Sequence, residues 1–220
     1  MTIKSFTFGP FQTNTYVVSV DERVFLIDPA CFTEYDRQTL ANYIDKLTAE
    51  GGQTAKRSYS GAVKQRSGLS IVATHGHLDH LWGAAWACRQ FHTEVCMHEA
   101  DFPLVETIQE QYDLFGIPAK PEPFPIKPLN DISSIVHCPL SIIHTPGHTS
   151  GSVCLYWPDE KVLLSGDTLF CMGFGRTDLP SGNYGQLIQS IGILFDLPDD
   201  VRVYPGHGST TTIGAEKRGY

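Results

Sequence analysis

The beginning of the chain alternates between polar and apolar side chains, which is typical of short strands. In the second alternating run, Thr15, Val17 and Ser19 are separated by larger apolar residues, the period-two pattern of a half-buried strand. Pro29 would end the third run, because proline cannot donate to a strand ladder. The alternation predicts three strands, at about residues 3–8, 14–20 and 23–28.

Apolar residues three or four positions apart predict the helices. A run from about 33 to 48 has this spacing and is followed by Gly51 and Gly52, which would end the helix. Prolines between 118 and 128 predict an extended connector. Three further helices are predicted, at about residues 81–91, 99–112 and 184–195.

Four of the six remaining strands lead directly into histidine or aspartate motifs. Those at 152–157 and 161–165 are expected to form a hairpin. Strands grouped in two halves, each followed by helices, favour an α/β fold with two sheets packed face to face and helices outside. No low-complexity linker divides the chain, so we expect a single domain, residues 1–220. The further strands are predicted at about 69–73, 94–97, 140–144, 152–157, 161–165 and 201–204.

Composition and charge restrict the possible partners. A formal net charge of −8 argues against a nucleic-acid partner, which would need a basic face. No run approaches the roughly 18 apolar residues needed to cross a membrane, and the N-terminal residues lack an export signal. Six cysteines without CxxC spacing predict reduced thiols in a cytoplasmic protein. The basic stretch from Gln53 to Gly68 predicts a solvated loop.

The strongest chemical signal is the sequence THGHLDH at residues 74–80. His75 and His77 are two positions apart, so in extended backbone their side chains point the same way and can bind one ion. Gly76 lets the main chain pass close to that ion without a Cβ. A turn into a helix would then direct Asp79 and His80 towards a second point. Imidazole and carboxylate ligands suit divalent ions such as Zn²⁺.

Three later motifs each place one further ligand just past a predicted strand end. His148 follows Thr-Pro-Gly, Asp167 follows Ser-Gly, and His207 follows Tyr-Pro-Gly. Loops at strand ends can bring distant side chains to one edge of a rigid scaffold. The predicted metal ligands are therefore His75, His77, Asp79, His80, His148, Asp167 and His207.

Together these motifs resemble the metallo-β-lactamase-fold hydrolases, and within them the glyoxalase II-like branch. The similar stretches are THGHLDH, HTPGHTSGS, SGDTLF and YPGHG, with GRTDLP at 175–180 and the run from PFQTNTYVV to IDPA near the N-terminus. The resemblance implies a four-layer αββα sandwich of two mixed sheets. It also implies the short form without a C-terminal helical domain, because the chain ends soon after His207.

The resemblance further implies a binuclear metallohydrolase acting on a small molecule, a hydroxyacylglutathione-like thioester. A hydroxide shared by two zinc ions would attack, with Asp79 orienting it; Fe²⁺ or a mixed pair of metals is the alternative occupant. Asp167 would bridge both ions, and the chain would be a monomer or homodimer. The first ion would take His75, His77, His148 and Asp167; the second would take Asp79, His80, Asp167 and His207.

The segment after Asp167 departs from the glyoxalase II pattern. Arg176 and Asp178 stand where that family has a lysine and a tyrosine, and Ser209 replaces a second tyrosine. Two roles for Arg176 follow: binding a carboxylate of the substrate, or forming an ion pair with Asp178.

Three other functions are compatible with the motifs. A mononuclear iron persulfide dioxygenase would use only His75, His148 and Asp167. Hydrolysis of a lactone or another ester or amide, and a non-catalytic metal-binding module, are the others.

The remaining histidines, at 92, 98, 137 and 144, and Cys171 are interpreted as surface or packing residues. Three aromatic residues suit either the core or a pocket wall: Phe102, Tyr112 and Phe115.

Overall fold

A six-stranded sheet forms the first half of the computed structural model, which describes residues 1–21, 23–50, 68–129 and 140–219. Its strands lie side by side in chain order. The first three strands pair antiparallel with one another, and each of the last three pairs in parallel with the strand before it. The strands are β1 (Thr2–Phe8), β2 (Thr13–Val20), β3 (Arg23–Ile27), β4 (Leu69–Val72), β5 (Val95–Met97) and β6 (Ile126–Pro128).

A five-stranded sheet forms the second half, in the order β11-β10-β9-β8-β7. The predicted hairpin is confirmed as the antiparallel pair β8 and β9. β9 and β10 are parallel, and the outer strands are antiparallel to their neighbours. The strands are β7 (Ser141–His144), β8 (Val153–Trp157), β9 (Val162–Gly166), β10 (Arg202–Pro205) and β11 (Thr211–Thr212).

The two sheets face each other across a common apolar core. Phe25 and Ile27 of the first sheet pack in one cluster with Leu155 and Trp157 of the second, and the rings of Phe25 and Trp157 are 6.0 Å apart. The helices are α1 (Glu34–Glu50), α2 (Leu78–Leu81), α3 (Ala84–Phe91), α4 (Phe102–Glu106), α5 (Ile108–Leu114), α6 (Tyr184–Phe195) and α7 (Ile213–Lys217).

Helices cover the outer faces of both sheets, which confirms the predicted αββα layering. Leu40 and Ile44 of α1 and Phe91 of α3 pack against the first sheet. Leu187 and Ile191 of α6 pack against the second. Burial of apolar side chains on both faces of each sheet is the main source of the fold's stability.

Two predicted helices are broken in the structure. The helix predicted from residue 81 is split into α2 and α3 at Gly83, whose N–H donates to Pro29 O at 2.7 Å. A Cβ at Gly83 would lie 2.7 Å from the same oxygen, so this close approach requires glycine. The helix predicted at 99–112 is a 3₁₀ turn (Glu99–Asp101) followed by α4 and α5, with Pro103 in the first turn of α4.

Other differences lie at the edges of the sheets. The proline-rich connector ends in β6, an edge strand that tolerates Pro128. The sequence pattern did not predict β11 or α7. The loop predicted from Gln53 lies outside the described residues, apart from Gly68 at its end.

Candidate metal centre

The seven predicted ligands lie together at one edge of the two sheets. The loop after β4 runs into α2, and the loops after β7, β9 and β10 reach the same place. Five of the seven side chains are buried, while Asp79 and His207 are partly exposed. The sheets thus bring together residues from four separate segments, as the strand-end motifs predicted.

Three imidazoles form the first group of candidate ligands. His77 Nδ1 lies 2.8 Å from His148 Nε2, and His148 Nε2 lies 3.2 Å from His75 Nε2. One ligand atom from each residue lies within 4.8 Å of the others. Three imidazole nitrogens that converge in a buried site are a characteristic zinc ligand set.

A second group combines a carboxylate with two imidazoles. His207 Nε2 lies 3.3 Å from Asp79 Oδ2 and 3.4 Å from His80 Nε2. His80 Nε2 is 3.5 Å from Asp79 Oδ2. This group directly adjoins the first, because His75 and His80 also fall in one cluster, with rings 4.1 Å apart.

Asp167 lies between the two groups. Its Oδ2 is 3.4 Å from His148 Nε2 and 3.5 Å from His207 Nε2, and its Oδ1 is 3.4 Å from His80 Nε2. Oδ1 is buried yet accepts no hydrogen bond within the described part of the chain. A buried carboxylate oxygen without a donor is unfavourable unless a cation neutralises it. The residues therefore fit a two-metal site.

The outward nitrogen of four of the imidazoles is held by a neighbouring oxygen. Such contacts fix the tautomer and the ring orientation, and leave the other nitrogen available to a metal. Three of these partner residues were not predicted from the sequence. The contacts are His75 Nδ1 to Thr74 Oγ1 (3.0 Å), His80 Nδ1 to Asp28 Oδ2 (3.0 Å), His148 Nδ1 to Arg176 O (2.7 Å) and His207 Nδ1 to Phe11 O (3.0 Å).

Asp28 is a buried carboxylate at the end of β3 that connects the end of β4 to α2. It accepts hydrogen bonds from Thr74 N at 2.7 Å and Thr74 Oγ1 at 2.8 Å, besides its contact with His80. In the sequence, the IDPA stretch that contains Asp28 only resembles the N-terminal part of the family, and nothing in its local pattern indicates what the carboxylate contacts.

Asp101 is a second buried carboxylate that sequence reasoning missed. It accepts hydrogen bonds from Gly76 N at 2.8 Å, Thr149 Oγ1 at 2.7 Å and Gly151 N at 2.6 Å. These bonds tie the loop of the first two histidines to the loop of the third. A Cβ at Gly151 would lie 2.6 Å from Asp101 Cγ, so the approach requires glycine. Burial raises the pKa of Asp101, against the opposing effect of the Thr149 hydrogen bond.

The charge distribution separates the imidazoles into different protonation states. Burial, followed by the neighbouring His148, lowers the pKa of His77 to about 3. Burial would also lower the pKa of His80, but Asp79 and Asp167 raise it well above the usual value. Burial would raise the pKa of both carboxyls, and His80 holds each of them below its usual value. Both carboxylates are therefore ionised at neutral pH.

A cavity of about 370 Å³ opens onto both groups of ligands. Of the three aromatics that suited either core or pocket wall, Phe115 lines this cavity, Phe102 packs against the first sheet's core and Tyr112 is buried. The lining of the cavity thus combines apolar side chains with the charged candidate ligands. The apolar side chains are Phe11, Leu78, Phe115, Phe170, Phe174 and Leu179.

Arg176 lines the same cavity but forms an ion pair. Its Nε and one terminal nitrogen each lie 2.6 Å from an oxygen of Asp178, and both side chains are largely exposed. Of the two predicted roles, the structure shows the ion pair with Asp178. Arg176 contacts the candidate ligands through its main-chain oxygen, which accepts a hydrogen bond from His148.

The other histidines and Cys171, predicted to be surface or packing residues, are outside the groups of candidate ligands wherever the structure describes them. Cys171 and His92 are exposed. His98 and His144 stack on each other, with ring centres 4.1 Å apart. His137 lies outside the described residues. Among the described residues of this set, Cys171, His92, His98 and His144, none lines the metal cavity.

The family model of the metallo-beta-lactamase superfamily matches residues 8–207, which include all seven candidate ligands. The chain belongs to this superfamily. A member from Haemophilus influenzae, hydroxyacylglutathione hydrolase GloC, is 40% identical over 153 residues, covering 67% of this chain and 72% of that protein. The superfamily, mostly hydrolases, and the convergent histidines and aspartates together identify a metallo-hydrolase.

Solved structures of superfamily proteins match along nearly the full chain. TTHA1623 in a di-iron-bound form has a TM-score of 0.78 and 32% identity, covering 98% of this chain and 97% of that one. The BLEG-1 B3 metallo-β-lactamase has a TM-score of 0.74 and 29% identity, with coverage of 99% and 97%. Within the described residues of this chain, no helix is long and apolar enough to span a membrane.

Proposed function

We propose that this superfamily member hydrolyses a thioester of the hydroxyacylglutathione type with the help of two zinc ions. The observation that carries the proposal is the pair of adjoining ligand groups that share Asp167 and open into one cavity. The similarity to GloC supports the choice of substrate class. One zinc would be held by His75, His77, His148 and Asp167, and the other by Asp79, His80, His207 and Asp167.

When bound, two such ions supply a Lewis acid for a carbonyl oxygen and lower the pKa of water, so that a nucleophile is available at neutral pH. Asp79 would orient that water. It is ionised, and Thr13 Oγ1 donates to its Oδ2 at 2.6 Å, which fixes the carboxylate. Positioning of this kind lowers the entropic cost of attack.

The aromatic wall of the cavity suits the apolar part of a bound thioester. The departing group of a thioester is a thiol, whose usual pKa is about 8.5, so it leaves with little need for a proton donor. An amide or ester would depend more on a general acid. The described residues that line the cavity offer imidazoles and carboxylates committed to the ligand groups, and no lysine or tyrosine. This composition favours the thioester.

The test combines metal analysis with substrate turnover. Protein purified without added metal is analysed for metal per chain and assayed for thiol release from S-D-lactoylglutathione. We expect two zincs per chain and thiol release that is lost, by more than a thousandfold, in Asp167→Ala. The exposed Asp113→Asn variant is the control and keeps wild-type turnover.

Two results would contradict the proposal. One iron per chain with oxygen uptake on glutathione persulfide would identify the dioxygenase. Faster turnover of lactones than of any thioester in a substrate panel would identify another hydrolase.

A further inference from the structure

A second cavity, of about 380 Å³, lies on the other side of α2 from the metal cavity. Leu78 and Asp79 line the metal cavity, whereas Leu81 lines the second one. Likewise Gln111 of α5 faces the metal cavity and the adjacent Tyr112 faces the second. The short helix that carries two candidate ligands thus separates two pockets of similar size.

Aromatic side chains form part of the walls of this second cavity. The rings of Phe32 and Trp82 are 4.7 Å apart. Flat apolar surfaces of this kind favour a planar hydrophobic ligand, which can stack on them. The aromatic residues that line the cavity are Phe32, Trp82, Trp86, Tyr112 and Phe124.

Arg37 gives the cavity a cation that lacks a partner at one position. Its Nε is buried and has no hydrogen-bond acceptor within the described part of the chain. Its NH1 is 3.7 Å from Glu34 Oε2, and the Glu34 side chain is 81% exposed. A buried donor without an acceptor costs free energy, and a carboxylate is the acceptor that matches a guanidinium best.

The other charged groups of the cavity leave its electrostatic balance positive. Lys120 also lines it, and Glu122, its acidic residue, forms an ion pair with Arg89. Because Glu122 is paired with a cation outside the lining, a ligand in the cavity would meet two positive charges, Lys120 and Arg37, of which Arg37 is only weakly paired, with the exposed Glu34 at 3.7 Å. The cavity therefore favours an anion over a neutral molecule of the same shape.

We propose that this second cavity binds a small molecule with a planar aromatic body and a single carboxylate, which Arg37 recognises. The aromatic walls would hold the body, and the Arg37 guanidinium, whose side chain is 33% exposed, would pair with the carboxylate. This site is independent of the proposed thioester hydrolysis, since none of the seven candidate ligands lines it.

The experiment compares two probes that differ in charge and hardly in shape. Binding of indole-3-acetate and of its neutral amide, indole-3-acetamide, is measured by calorimetry on the metal-loaded protein. We expect the acetate to bind at least about tenfold more tightly, the difference expected of a charge-assisted hydrogen bond. Arg37→Gln should remove this preference, while Arg218→Gln, at an exposed arginine away from the cavity, should keep it.

A second variant tests the location without changing charge. Ala85 lines the cavity from α3 and is largely buried, so Ala85→Leu should fill part of it and weaken both probes. Equal affinity for the two probes in the wild type would overturn the proposal. So would acetate binding that survives both Arg37→Gln and Ala85→Leu, because the probe would then occupy another site, such as the metal cavity.

Discussion

Thr13 Oγ1 donates a hydrogen bond of 2.6 Å to Asp79 Oδ2 across 66 positions of the sequence. The backbone of Thr13 also forms an isolated bridge with His207. The first residue of β2 thus touches both partly exposed members of the second ligand group, and joins the first sheet to a loop of the second.

Replacing Thr13 with valine keeps the shape of the side chain and removes its hydroxyl. We expect thiol release to fall about 10- to 100-fold, as when other residues that orient metal ligands are changed. Occupancy of the second metal should fall in parallel. Thr13→Ser keeps the hydroxyl and should retain most of the activity; a serine variant as poor as the valine variant would argue against the hydrogen bond.

The buried Asp101 should prove essential for stability and for the first ligand group. In Asp101→Asn an amide donor replaces one of two oxygens that together accept three hydrogen bonds. We expect the free energy of unfolding to fall by about 1–3 kcal/mol, with weaker metal binding. Urea unfolding of the metal-free and metal-loaded proteins measures both effects. Asp113→Asn, at an exposed position, should leave both values unchanged, and an equally stable Asp101→Asn protein would contradict this role.

Metal binding should release protons at neutral pH. In the metal-free protein, burial lowers the pKa of His80, but Asp79 and Asp167 raise it further, so the net pKa is raised and the imidazole is protonated. A metal needs the neutral imidazole, hence His80 must lose its proton and the affinity must fall as pH falls. Calorimetry in buffers of different ionisation enthalpy measures this release.

Asp28→Asn provides the comparison for proton release, because it removes one of the carboxylates that raise the pKa of His80. Fewer protons should be released by this variant. Heats of binding that are the same in every buffer would contradict the protonation of His80.

The ion pair between Arg176 and Asp178 allows a direct test of whether Arg176 binds substrate. With the guanidinium occupied by Asp178, we expect Arg176→Gln to change the KM for S-D-lactoylglutathione less than about threefold, a free energy below that of a typical hydrogen bond. Asp178→Ala frees the guanidinium and should lower KM if a substrate carboxylate reaches it. A large rise in KM for Arg176→Gln would instead show that the substrate displaces Asp178.

Elements with strong local signals could be predicted from the sequence. Helix α6 has the predicted bounds of 184–195, because its apolar spacing is regular and the Asn183 side chain caps it by accepting from Gln186 N. The candidate ligands could be picked out because each lies in a short motif just past a strand. The break at Gly83 was not predictable, since it arises from contact with Pro29, a residue far away in sequence.

The residues that support the ligands could not be predicted for the same physical reason. Thr13, Asp101 and Gln111 are ordinary residues in their local segments and acquire their roles only through contacts between loops. Gln111, for example, accepts from Leu78 N and donates to Gly76 O, 33 and 35 positions away. A pattern along one strand or helix carries no record of such contacts.

The distribution of the ligands over four loops has a consequence for how the protein matures. No single hairpin or helix holds a complete group of candidate ligands, because each of the two groups includes residues from loops of both sheets. Contacts between residues so far apart in sequence form slowly, because the chain must first close long loops. A metal ion would therefore bind tightly only to chains in which the two sheets have already packed together.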